Sequence, residues 1–135
     1  MTFTRRLSHL ATLCALSAAA LLAGCVESPK QQGLSDVLER PAERALFTGI
    51  RAYDDAQYAE AEAALLNALA IGLSSPKDRA TASKLLAFVY CTSNRVPACE
   101  AAFRSARQSD PAFALTRSEA GHPVWGPVYR KAVAQ

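Results

Sequence analysis

Prolines stand at positions 41, 76, 97 and 127, and each opens a segment whose apolar residues recur at helical spacing. Proline lacks an N–H and clashes with the preceding turn, so a helix accepts it readily only in its first turn. These positions therefore predict helix starts. After Pro41, the residues Ala45, Leu46, Gly49, Ile50 and Tyr53 share one side until Asp54 and Asp55 mark a turn. A second segment, Gln57 to Ile71, carries Tyr58, Ala61, Leu65 and Ala68 as a stripe, with Gly72 as its stop. Ser75, Pro76 and Asp78 give the third helix an N-cap hydroxyl, a first-turn proline and a first-turn carboxylate. Leu85, Leu86, Phe88 and Val89 supply its apolar surface, and Thr92 to Arg95 is polar and turn-like. Pro97 opens a fourth helix with Cys99, Ala102, Phe103 and Ala106, which Asp110 and Pro111 end. The expected class is all-α, with helices of about 12–15 residues whose short connections make them antiparallel neighbours.

The first residues read differently. Arg5 and Arg6 precede an apolar run from Leu7 to Ala23 that Ser8, His9, Thr12 and Ser17 interrupt. A membrane-crossing helix wants ~20 consecutive apolar residues. A charged start, an apolar middle and a small-residue exit read instead as an export signal, which is set aside from fold reasoning. The exit, Leu22, Ala23, Gly24 and Cys25, resembles the bacterial lipoprotein signal. That resemblance implies cleavage before Cys25, diacylglycerol on its thiol and an acylated N-terminus. An ordinary signal peptide with a chance cysteine and a plain membrane anchor are the alternatives. Val26 follows the cysteine where an aspartate is associated with inner-membrane retention, so the expected location is the periplasmic face of the outer membrane. Paired acyl chains make a stable anchor, at ~0.8 kcal/mol per buried CH₂.

Processing changes the arithmetic of the chain. Loss of residues 1–24 leaves 111 residues, enough for one domain with a modest core. Arg5 and Arg6 leave with the signal, so the net charge of +3 falls to near neutrality. No Arg/Lys cluster remains to make phosphate contacts, and nucleic acid is not an expected partner. Cys14 is discarded and Cys25 is consumed by lipid, which leaves Cys91 and Cys99 as an even pair in an oxidising compartment. A disulfide is the favoured reading, against free thiols or a metal site. Zinc wants more ligands, and His122 is the one histidine of the mature part. Residues 25–34 read as lipidated N-terminus and tether, with Leu34, Val37 and Leu38 as an apolar patch around a helix start at Ser35.

The helical segments over residues 42–112 resemble two tetratricopeptide (TPR) repeats, helix-turn-helix units of about 34 residues with small and aromatic residues at fixed offsets. Gly49, Tyr58, Ala61, Leu65 and Ala68 carry the first unit, and Ala87, Phe88, Cys99, Phe103, Ala106 and Pro111 the second. Phe88 stands where a small residue is usual, Ala52 and Cys91 where an aromatic is usual, and Tyr58 to the equivalent Val96 spans 38 residues. The resemblance implies a TPR-like superhelix of two units over residues 35–112, closed by an aromatic capping segment over 113–135; a different helical bundle is the alternative. It also implies a groove lined by first helices. The residues placed there are Arg44, Phe47, Thr48, Arg51 and Asp55 from the first unit, and Lys84, Ala87, Tyr90 and Asn94 from the second. Arg51 and Lys84 are then positioned to hold a carboxylate or the backbone of a guest peptide, or else are ordinary solvated charges. In the same arrangement Cys91 ends one helix and Cys99 lies in the first turn of the next, within the ~4.4–6.8 Å Cα separation of a disulfide.

In the tail, Pro127 opens a short closing helix whose apolar side is Val128, Tyr129, Ala132 and Val133. Trp125 and Tyr129 either cap the last repeat or belong to a partner surface, where aromatics concentrate. No catalytic constellation is expected: His122 sits among Gly and Pro, and Glu60 and Glu62 point apart on their helix. No cofactor and no metal is expected. The reading is a non-enzymatic adaptor that assists an envelope machine, as the pilot and accessory lipoproteins of secretion and pilus systems do. The alternatives are a self-associating structural lipoprotein, forming a homodimer, and a regulator of a cell-wall enzyme.

Overall fold

A computed structural model of the chain describes residues 40–134. The lipidation site Cys25, the signal, the tether and the helix start at Ser35 lie outside the described residues. Those that are described form α1 (Pro41–Asp54), α2 (Tyr58–Ile71), α3 (Pro76–Thr92), α4 (Val96–Ser109), α5 (Arg117–Ala120) and α6 (Gly126–Val133), with no strand among them. Prolines occupy the first turns of α1, α3, α4 and α6. At the start of α3 the Ser75 hydroxyl accepts the Asp78 N–H at 3.2 Å, satisfying one of the helix's unpaired donors. Gly72 ends α2 at φ +105°, a conformation that costs glycine little. The α1–α2 and α3–α4 turns each pass through the left-handed region, at Ala56 (φ 58°) and Asn94 (φ 59°). Helix α3 is longer than anticipated, at 17 residues. Helix α5 is an addition to the expected set: Thr116 and Glu119 form a reciprocal capping box around its single turn.

Helices α1 and α2 form one hairpin and α3 and α4 a second; α1 and α2 both meet α3, and α6 lies against α4. The protein is thus all-α, built from two helix-turn-helix units and a closing helix, an arrangement that a TPR-like path fits. Contact within the first hairpin is close. A Cβ on Gly49 would stand 2.7 Å from the Leu65 Cγ, so only glycine lets α1 approach α2 there. Phe103, Leu65 and Cys99 are the largest fully enclosed side chains, and burial of an aliphatic or aromatic group contributes roughly 1.5–3 kcal/mol.

The second hairpin carries the disulfide Cys91–Cys99, with Cα atoms 5.2 Å apart, which ties the last turn of α3 to the first of α4. Helix α6 closes this hairpin from outside. Its Tyr129 ring meets Phe103 edge-on at 5.2 Å and Phe113 at 6.2 Å, and its hydroxyl accepts the Leu115 N–H at 3.3 Å. Lys131, still largely exposed, reaches back to Glu100 of α4 at 2.9 Å.

Candidate functional site

On α1 the buried positions are Ala42, Glu43, Leu46, Gly49 and Ala52. Helical geometry then turns Arg44, Phe47, Thr48 and Arg51 to the opposite side, and all four are exposed, as is Asp55 in the turn. Phe47, Thr48, Arg51 and Asp55 line one depression of about 350 Å³ together with Gln57 and Glu60 at the start of α2. Phe47 keeps 45% of its surface in water, at the centre of this mixed-charge rim. The Thr48 hydroxyl donates to the Arg44 carbonyl at 3.0 Å and so lies along its own helix. Helix α2 adds to the anomaly. It is apolar nearly all round, yet buries only Ala61, Leu65 and Ala68, and leaves Leu66 and Ile71 each 46% exposed. A helix of that composition is ordinarily covered on several sides.

The second-unit residues lie elsewhere. Lys84 on α3 holds the Glu119 carboxylate at 2.7 Å, and its ammonium stands 5.6 Å from the Phe88 ring centroid. Trp125 stacks on that same Phe88 ring at 4.4 Å and donates its indole N–H to the Glu119 carbonyl at 2.9 Å. His122 lies parallel to the Trp125 ring at 3.4 Å, and its Nδ1 accepts the Val124 N–H. Burial pushes the Glu119 carboxyl up, but hydrogen bonds from Lys84 and from the Thr116 backbone and hydroxyl outweigh it and hold the group below the ordinary carboxylate range. Tyr53 of α1 comes within 6.3 Å of Phe88, and its phenol is pushed up by burial and by the negative groups around it, Glu119 included. Tyr53, Lys84 and Phe88 therefore make one patch, and residues of the C-terminal tail sit on it.

A third location gathers around the α3–α4 turn. Arg95 grips Glu62 of α2 with both guanidinium arms, at 2.9 and 2.5 Å, and lies over the Tyr90 ring at 4.4 Å. The Arg95 hydrogen bonds hold the Glu62 carboxyl below its usual value despite some burial. Tyr58, Glu62, Val89, Thr92 and Arg95 line a depression of about 290 Å³ there. Asn94 belongs to the turn itself, exposed and left-handed, and its N–H donates to the Cys91 carbonyl at 3.1 Å.

The groove residues expected from the sequence are thus dispersed over three places. Arg44, Phe47, Thr48, Arg51 and Asp55 share the outer face of the first hairpin. Lys84 and Trp125 both lie against Phe88, Trp125 as part of the tail, and Tyr90 and Asn94 are at the α3–α4 turn. One expectation needs correction: Ala87 is fully buried in the contact between helices and lines no groove. Of the two readings of Tyr129, its 8% exposure fits the cap and not a partner surface. Sequence reasoning missed Glu119, Tyr53, Glu62 and Arg95. For Glu119 a signal was present, since Thr116 and Glu119 have capping-box spacing; for the others it was not, because their partners are more than thirty positions away. Among the described residues no group of His, Cys, Asp and Glu is arranged to hold a metal, and no helix is long and apolar enough to cross a membrane. No protein-family model, curated protein or solved structure matches this chain.

Proposed function

We propose that this chain is a non-enzymatic adaptor, anchored by lipid at Cys25 to the periplasmic face of the outer membrane, that helps assemble or stabilise an envelope machine such as a secretion or pilus system. The observation that carries the reading is the outer face of the first hairpin. Phe47 stands half exposed on a unit that has no helix pair stacked on that side among the described residues, and Arg51, Asp55 and Glu60 line the same depression. Helical hairpins bury such a face by stacking a neighbour on it. An amphipathic helix from a partner satisfies the same need, its apolar side over Phe47 and its polar side toward the rim.

The test is capture from native envelopes. Mature lipoprotein is recovered in detergent with whatever it holds, beside a Cys25→Ser form that fails to be anchored and a Phe47→Asp form that keeps the anchor. The adaptor reading expects one stoichiometric envelope protein with the wild type and its loss with Phe47→Asp. Recovery of the chain alone, or of a dimer of itself, from folded and lipidated protein would overturn it in favour of self-assembly.

A further inference from the structure

The patch formed by Tyr53, Lys84 and Phe88 has an occupant whose chemistry is legible. Residues Thr116 to Trp125 present one carboxylate to an ammonium and one indole to a phenyl ring, at 2.7 Å and 4.4 Å. The occupant also holds its own shape. Thr116 and Glu119 cap each other, Trp125 donates to the Glu119 carbonyl, and His122 lies flat on Trp125.

Its attachment is of a particular kind. The α5 backbone approaches no helix except α6, whereas α6 is packed along α4. The segment reaches α3 through the Glu119 and Trp125 side chains and α6 through the Ala120 carbonyl, which accepts from Arg130 at 3.3 Å, while the chain beyond it is held by the buried Tyr129. Lys84 and Glu119 are each about a quarter exposed, so water competes for the ion pair. A single-turn helix with no fully buried residue, held by a wet ion pair, one ring stack, the partial packing of Ala120 and Trp125 and one hydrogen bond from α6, opens at lower cost than the longer helices around it.

We infer that the α3 face bearing Lys84 and Phe88, with Tyr53 beside it, is a binding site for a peptide segment that carries a carboxylate and an aromatic ring on one compact turn, and that residues Thr116–Trp125 occupy it in cis. The charge fits in one sense only: Lys84 accepts an acidic group and rejects a basic one. An incoming segment competes with the tail, so its apparent affinity is reduced by the fraction of time the tail is in place. The inference shares with the adaptor reading the idea of a peptide ligand, but it concerns a different face, and Phe47 plays no part in it.

The chain's one tryptophan reports directly on the tail. The probe is a synthetic peptide of residues 113–126 with Trp125 replaced by Phe, added to the full mature protein. Displacement of the tail carries Trp125 into water, and its fluorescence is expected to shift to the red and saturate with peptide. The same peptide with Glu119→Lys should produce no shift. In a Glu119→Gln, Trp125→Ala chain, labelled peptide should bind about tenfold more tightly because the cis competitor is weakened, and adding Lys84→Glu should abolish that binding. Phe47→Asp should leave all of these results unchanged, which separates this site from the one proposed above. Hydrogen exchange on the wild type needs no folded variant: amides of 116–126 are expected to open well before those of α4. A silent Trp125 at saturating peptide, or exchange of 116–126 only in step with α4, would overturn the inference.

Discussion

The two hairpins are built to the same plan and finished differently. In the second, α3 buries nine of its residues, a disulfide ties α3 to α4, and α6 with its preceding segment covers what remains. In the first, α2 is the more apolar helix and yet buries only three. It has no cross-link, and Phe47, Tyr58, Leu66 and Ile71 all remain more than 40% exposed. Equal composition would not produce this contrast; coverage does. The second unit receives its cover from the chain that follows it, and the first shows none among the described residues. The second unit is thereby the more closed of the two, and the first keeps the larger share of uncovered apolar side chains.

The sharpest way to break this comparison is to truncate one aromatic in each unit. Phe103, fully buried between Phe88 and Tyr129, should cost about 3–5 kcal/mol as Phe103→Ala, whereas Phe47→Ala should stay within about 0.5 kcal/mol, both read by denaturant unfolding. Similar losses at the two positions would show that the first hairpin is as closed as the second. Replacing Cys91 and Cys99 together by alanine should cost about 2–3 kcal/mol by loop-closure entropy, with hydrogen exchange rising chiefly in α3 and α4. Gly49→Ala tests the first hairpin's own seam. A methyl group 2.7 Å from Leu65 should destabilise by about 1–3 kcal/mol, since α1 and α2 must move apart.

The smallest effect is set by pH. A carboxyl whose pKa is lowered by folding contributes stability that is present above its unfolded pKa and lost as pH falls through the folded one. Glu119 is such a group, so acidification from about pH 5 downward should loosen the segment on α3 before the hairpins unfold. Red-shifted Trp125 emission in that range would record it, and Glu119→Gln should show the shifted emission at neutral pH. Glu62 and Glu100 are lowered as well, so global unfolding in acid has other contributors that this variant leaves intact.

Much of the fold was legible because its signals are local. Pro41, Pro76, Pro97 and Pro127 each mark a helix start, Gly72 marks a stop, and Ser75 caps the helix it precedes. The cysteine pair was legible for a similar reason, since a turn of known length separates the two positions. The surfaces were harder to read. Which side of α3 carries ligand-facing residues depends on where the tail comes to rest, and nothing near Lys84 in sequence says that Glu119, 35 positions later, will lie on it. Ala87 was placed in a groove by the resemblance to TPR repeats, and tertiary packing put it inside. Tyr129 was readable as either cap or contact; the edge-on approach to Phe103 and the hydroxyl's bond to Leu115 put it in the core.

The most direct measurement is photo-crosslinking in the native envelope, with a crosslinking side chain at position 47 on the first hairpin and, in a separate chain, at the exposed position 101 on α4. The account predicts one discrete adduct with another envelope protein from position 47 and none from position 101. An adduct from 101 with none from 47, or equal capture at both, would contradict the division between a closed hairpin and an open one.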